Sequence, residues 1–155
     1  MKPHPKPSRS GNEAAGLLEQ AIQLAVQVHH GQRDKAGEPY ILHPLRVMQR
    51  METDWERIVA ILHDVVEDTP ITMADLRRAG FSHGVLVAVD CLTKREGESY
   101  AQFIQRAKAN PIARRVKIAD LEDNMDLRRL PHVSSRDRKR LEKYLRAQEK
   151  LSGQL

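Results

Sequence analysis

An all-α fold is what the sequence predicts, on three observations. Apolar residues recur three and four positions apart along most of the chain, several of these stretches have legible helix ends, and no alternating apolar and polar run reaches strand length. The 155 residues are one domain's worth, enough to bury a core without disulfide or metal staples. The expected organisation is a Pro-rich, disordered N-terminal tail over residues 1–12 and one compact helical-bundle domain over 13–155.

Helices are expected at roughly 13–30, 44–52, 54–68, 72–79, 83–93, 99–110, 111–127 and 135–151. The first carries Glu19, Gln20, Gln23 and Gln27 among its apolar residues, so it is neither a signal-peptide core nor a membrane span. The connector that follows, "GQRDKAGEPYILHP", is too rich in Gly, Pro and charge to be helical, and loops of this kind are where function tends to sit. Thr72 and Asp75 are spaced as a capping box, and Gly80 is placed to end that helix. The apolar run "VLVAVDCLT" holds the single cysteine, Cys91, in the role of a small buried hydrophobe. Ser99 is placed to cap the next helix, and Pro111 sits where a first helical turn tolerates it. Ser134 or Ser135 caps the last, "SSRDRKRLEKYLRAQEKL", read as a helix with a solvated basic face.

The net charge of +5 is held at the two ends, and residues 13–127 are net acidic. An acidic middle suits a bound cation better than a polyanion, so nucleic-acid binding through the basic C-terminal helix is the minor reading. One cysteine and no export signal fit a cytoplasmic protein without membrane attachment.

The stretch "ILHDVVEDT", Ile61 to Thr69, sets charge among aliphatic residues. On a helix His63 faces Glu67, and Asp64 faces both Glu67 and Asp68, so the cluster would lie at the edge of a core. Burying such acids is costly unless an ion pair or a metal ion relieves it. Asp120 and Asn124 stand one turn apart in "VKIADLEDNMDL", and His43 of "YILHP" is a third candidate. Two His and two Asp therefore come from separate segments, a nitrogen and oxygen donor set suited to a borderline divalent cation. Spacing does not show convergence, and hydrogen-bonded core histidines beside solvated acids are the other reading of the same residues.

Taken together, "AVQVHHGQRDKAGEPYILHPLRVM", "ILHDVVEDT", "CLTK" and "VKIADLEDNM" resemble the HD-domain hydrolase of RelA/SpoT homologues, in its single-domain form, the small alarmone hydrolases. The likeness covers about residues 20–130 in the right order. It implies an all-helical HD domain that uses manganese to remove the 3′-diphosphate of guanosine tetra- or pentaphosphate. Carried over position by position, the metal ligands fall on His43, His63, Asp64 and Asp120, and the catalytic acids on Glu67 and Asp68. Arg33, Lys35, Tyr40, Arg46, Lys94 and Asn124 would then bind the nucleotide. The same resemblance leaves two other outcomes: hydrolysis of another phosphorylated nucleotide or dinucleotide cofactor, or a catalytically weak nucleotide- or nucleic-acid-binding module.

Two departures from long family members carry expectations of their own. Asp34-Lys35 stands where those members commonly have Arg-Lys or Arg-Ser, so the arginine that contacts guanine is expected at Arg33 or absent, and Asp34 is expected at the pocket rim. Their "ADRLHNM" becomes "ADLEDNM" here, and the extra acid, Asp123, is expected to weaken polyphosphate binding.

Overall fold

The computed structural model describes residues 9–153 and is all-α, with no strand among the described residues. The helices are α1 (Arg9–Val28), α2 (Leu42–Gln49), α3 (Asp54–Leu62), α4 (Val65–Asp68), α5 (Met73–Arg78), α6 (His83–Leu92), α7 (Tyr100–Ala109), α8 (Pro111–Asn124) and α9 (Ser135–Ser152), with a 3₁₀ turn at Leu127–Arg129. The tail expected over 1–12 falls mostly outside the described residues, and α1 begins at Arg9 instead of residue 13. Ser, Gly and Asn at positions 10–12 carry no apolar period, so that boundary is invisible to a periodicity argument.

Local chemistry accounts for the helix ends. Thr72 and Asp75 form the capping box, Gly80 takes φ 92° just past α5, and Ser99 caps α7. Pro111 opens α8 behind Asn110, and Ser134, not Ser135, caps α9. Cys91 is only partly buried against the core, at the edge of the apolar face of α6.

At the centre runs α3, where Ile58, Val59, Ala60, Ile61 and Leu62 are all fully buried. A helix apolar on every side needs neighbours on every side, and α3 packs against α1, α2, α6 and α8. Phe103, Ile104, Leu121, Ala147 and Leu151 form a second cluster that joins α7, α8 and α9. This packing brings the start of α2, the end of α3 and the end of α8 to one place. Among the described residues no helix is long and apolar enough to cross a membrane.

The main difference from the expected elements lies in the stretch expected as one helix over 54–68. It breaks after Leu62, passes through His63 and Asp64, and resumes as α4. Asp64 adopts φ −103° and ψ −3°, off the helical average, and the apolar spacing runs straight through the break.

Candidate metal centre

His43 enters from the first turn of α2, His63 and Asp64 from the break after α3, and Asp120 from the last turn of α8. His43, His63 and Asp120 each offer a ligand atom within 4.8 Å of the others'. His43 Nε2 lies 3.1 Å from Asp120 Oδ1 and 3.7 Å from Asp64 Oδ2. His63 Nε2 lies 2.9 Å from Asp64 Oδ2 and 3.6 Å from Asp120 Oδ1. Bonds of ~2.0–2.2 Å to one ion set neighbouring ligands roughly 3–3.5 Å apart, so these separations fit a shared cation.

Each imidazole has its second nitrogen engaged. His63 Nδ1 sits 2.6 Å from the Ala60 carbonyl, which only accepts, so Nδ1 carries the proton. His43 Nδ1 sits 2.7 Å from Asp123 Oδ2. Both Nε2 atoms are thereby turned toward the carboxylates. The buried Nε2 of His63 has no aligned hydrogen-bond partner among the described residues, although Asp64 is close. Either the imidazoles take up protons or a cation takes the lone pairs. Burial opposes charge on His63, but Asp64 and Asp120 outweigh it and hold its pKa well above the ordinary value. Asp64 is held down to about 2, since the His63 charge overcomes the upward push of burial. Two nitrogens and two carboxylate oxygens form a donor set that fits a borderline divalent ion.

Around this cluster the acids and hydroxyl are ordered. The Tyr40 hydroxyl donates a short hydrogen bond to Asp64 Oδ2 and stands 3.5 Å from Asp68 Oδ2; burial and the Asp64 charge push its pKa up. Asp68 is shifted upward by burial and by Asp64. Glu67 is exposed beside the cluster and accepts a hydrogen bond from the Lys94 backbone N–H at 3.2 Å. In the chain as folded, the break redirects the faces assigned from ideal helical geometry: His63 meets Asp64, its immediate neighbour, and the pairing with Glu67 one turn on is not what joins them.

Two cavities meet at Tyr40 and Asn124. The first, of about 220 Å³, is lined by Arg33, Asp34, Lys35, Tyr40, His43, Arg129 and Arg140, among others. The second, of about 300 Å³, is lined by Asp64, Glu67, Lys94, Tyr100, Lys117, Lys143 and Tyr144 and others. Arg33, Lys35, Tyr40, Lys94 and Asn124 are therefore all at the site's walls. Arg46 is not among those lining residues: its guanidinium forks onto Asp123 at 2.7 and 3.0 Å.

Asp123 also departs from its expected place. It is 1% exposed, behind His43 and beneath Arg46 and Arg129, so it does not face an incoming polyphosphate. Asp34 is tied down as well. Its Oδ1 accepts from the backbone N–H groups of Ala36 and Glu38, closing a turn that Gly37 completes at φ 83°, and its Oδ2 meets Arg129 at 3.2 Å. Its charge is spent on the loop and on an arginine, in place of standing free at the rim.

Several residues at the site are absent from the sequence-based set. Lys117 is half-buried at the cavity wall, its Nζ lies 2.6 Å from Asp120 Oδ2, and the downward pull of desolvation on its pKa is outweighed by the Asp120 charge, so it stays protonated. Its position one turn before Asp120 is visible in sequence, but its place in the cavity wall is not. Arg140, Lys143 and Tyr144 come from α9, whose basic face is expected in solvent; part of that face lines the two cavities. Only the fold of α9 back onto α7 and α8 reveals this.

A family model described as "HD domain" matches residues 21–130. The bifunctional (p)ppGpp synthase/hydrolase SpoT of Escherichia coli (strain K12) is 32% identical over 123 residues, covering 70% of this chain and 17% of that protein. The guanosine-3′,5′-bis(diphosphate) 3′-pyrophosphohydrolase of Aquifex aeolicus (strain VF5) is 32% identical over 120 residues, with the same coverage of 70% and 17%. The chain thus spans less than a fifth of the length of these relatives. Among solved structures, one described as a metazoan ortholog of SpoT that hydrolyzes ppGpp superposes with a TM-score of 0.74 at 23% identity, covering 97% of this chain and 89% of that one.

Proposed function

Since the chain belongs to the HD-domain family, we propose that it is a metal-dependent phosphohydrolase that removes the 3′-diphosphate of guanosine 3′,5′-bis(diphosphate) or a related alarmone, releasing pyrophosphate, with manganese as its cofactor. The observation that carries the reading is the meeting of His43 Nε2, His63 Nε2, Asp64 Oδ2 and Asp120 Oδ1 beside two exposed acids, Glu67 and Asp68. The relatives whose names state that chemistry support the choice of substrate.

His43, His63, Asp64 and Asp120 would hold the ion. When bound there, a divalent cation polarises a phosphoryl oxygen and makes a nearby water more acidic. Glu67, exposed at the same cavity wall, accepts a proton from the attacking water. Asp68, exposed on the rim 3.5 Å from the Tyr40 hydroxyl, is placed to assist proton transfer to the ribose 3′ oxygen as the phosphorus–oxygen bond breaks. Tyr40 donates to Asp64 and so fixes the carboxylate's orientation. Lys94, Lys117 and Lys143 bring positive charge to the cavity that takes the leaving diphosphate, and Arg33, Lys35, Arg129 and Arg140 to the one beside His43. Asn124 lies where the cavities join and is steadied by donating to Asp120 Oδ1 at 2.7 Å.

One observation favours a neighbouring reading with the same chemistry on a different phosphorylated nucleotide. Asp34 occupies the place of a guanine-contacting arginine, and nothing in the 220 Å³ cavity is acidic and free to read guanine's edge, since Asp34 and Asp126 are both paired with arginines. The deciding experiment incubates the purified, chelator-stripped chain with manganese and guanosine tetraphosphate, its adenine analogue and 2′- or 3′-phosphorylated dinucleotides. Release of pyrophosphate from the 3′ position, lost with chelator and restored by manganese, is the expected result. No turnover of any of these compounds by the metal-loaded protein overturns the reading.

A further inference from the structure

Of the two imidazoles at the cluster, only one is backed by charge. His63 gives its Nδ1 proton to a neutral carbonyl, that of Ala60. His43 gives its own to a carboxylate, Asp123 Oδ2 at 2.7 Å. That carboxylate is 1% exposed, and burial without compensation would favour its neutral form. Three arginines prevent this: Arg46 donates to both oxygens at 2.7 and 3.0 Å, Arg129 reaches Oδ2 at 3.4 Å, and Arg50 stands 4.0 Å from Oδ1. Asp123 is therefore a fixed anion, and the nearest thing it can act on in the cluster is the ring of His43. Its partners are His43 and the three arginines, and it lines neither cavity at the site.

An anion behind an imidazole has two effects on the nitrogen in front. It keeps the proton on Nδ1, so that Nε2 presents a lone pair, and it raises the electron density of the ring, so that Nε2 binds a cation more strongly. We propose that Asp123 is a positioning residue for the metal centre: held by Arg46 and Arg129, it locks His43 with Nε2 aimed at Asp64 and Asp120 and strengthens it as a ligand. The inference rests on the metal-centre reading above and adds to it a residue that never meets the ion. It also assigns a place to Arg46, whose charge serves to hold Asp123.

The test reads metal affinity without substrate. The purified full chain is stripped with chelator and titrated with manganese by calorimetry at neutral pH, well below the melting temperature of each variant. Asp123→Asn keeps the shape and an acceptor oxygen but removes the charge, and it is expected to weaken manganese roughly tenfold; Asp123→Ala removes the acceptor and is expected to weaken it by ~10–100-fold. Glu56→Gln is the control for damage to a buried charge elsewhere: Glu56 is 5% exposed, pairs with Arg115 and caps α3, and its loss is expected to lower the melting temperature with manganese affinity unchanged. Manganese binding by Asp123→Asn within twofold of the native chain overturns the proposal, as does an equal weakening in Glu56→Gln. Should Asp123→Ala not fold, the Asn variant alone decides. A native chain that binds no manganese fails at the metal-centre reading itself, a result distinct from a native chain that binds and variants that bind equally well.

Discussion

His63 and Asp64 are neighbours in the chain, and their donor atoms meet, Nε2 standing 2.9 Å from Oδ2. In an uninterrupted α-helix successive side chains point about 100° apart and do not converge. The break after Leu62 turns both toward one point, and α4 then carries Glu67 and Asp68 along the rim. The proposed ligands and the proposed acids thus lie on either side of a change in backbone path, which sets up distinct consequences for their removal. Asp64→Ala is expected to lose both bound manganese and turnover. Glu67→Gln keeps shape and metal but cannot accept a proton, and its turnover is expected to fall by ~10²–10⁴. Elemental analysis and rate measurement on the same preparations check this, and full activity in Glu67→Gln would remove its assigned role.

Lys117 supplies the charge that lets Asp120 stay ionised in a buried place. Burial and Lys117 pull the Asp120 carboxyl in opposite directions, and with the two histidines also present its pKa lies well below the ordinary range. Lys117→Met keeps the volume and deletes the charge, leaving Asp120 buried with less compensation. Removing one partner of a buried pair typically costs roughly 3–5 kcal/mol, so the metal-free variant is expected to melt well below the native chain. A cation at the cluster replaces part of the lost charge, so manganese is expected to raise the melting temperature of Lys117→Met by more than it raises that of the native protein. A smaller metal-induced shift in the variant would show that Lys117 does not compensate Asp120.

Much of this was legible in the sequence because it depends on near neighbours. The capping box at Thr72, the cap at Ser99, the Pro at the start of α8 and the all-α class follow from spacing over a few residues. The residues of the cluster were legible as candidates too, since His43, His63, Asp64 and Asp120 stand in three of the quoted motifs; the fold sets His43, His63 and Asp120 within 4.8 Å of one another, with Asp64 beside both imidazoles. The break inside 54–68 was not legible, because Ile61, Leu62, Val65 and Val66 continue the apolar pattern across it. The partners of Asp123 and Asp34 were not legible for a different reason. Each is an acid inside one of the quoted stretches, yet its role comes from a partner 80 or 95 residues away, His43 for Asp123 and Arg129 for Asp34, that no local pattern names.

Arg129 touches Asp34 at one end and Asp123 at the other, so the loop at the first cavity and the support of His43 share one guanidinium. Asp34→Arg therefore does more than exchange a charge at a pocket wall. It deletes the acceptor for the Ala36 and Glu38 N–H groups and sets two arginines against each other. The expected outcome is a higher KM for guanosine tetraphosphate and for its adenine analogue alike, with little change in their ratio. Asp34→Asn keeps one acceptor for the turn and should lie between the two. A fall in KM confined to the guanine compound would mean that the new arginine reads the base, and that the loop tolerates the loss of its turn.

Arg106 clamps the loop that carries Lys94. Arg106 binds both oxygens of Glu98 at 2.8 Å and also donates to the carbonyls of Asp90 and Thr93, at 2.5 and 2.8 Å, tying residues 90–98 to α7. The Arg106 hydrogen bonds hold the Glu98 carboxyl at about 2, against an ordinary value of 4.5. A depressed native pKa means that the folded chain favours the ionised form. The stabilisation is then complete above about 4.5, where the unfolded chain is ionised as well, and is lost as pH falls toward about 2. Glu98→Gln removes it at every pH. The variant is expected to melt about 2–4 °C below the native chain at neutral pH, the shift for roughly 1 kcal/mol in a domain of this size. Because only the native chain loses the ion pair on acidification, the gap between the two melting temperatures should close between pH 4.5 and about 2. A gap that stays constant through that window would show that the loss in Glu98→Gln does not come from the charge on Glu98, and that the ion pair contributes nothing to the clamp.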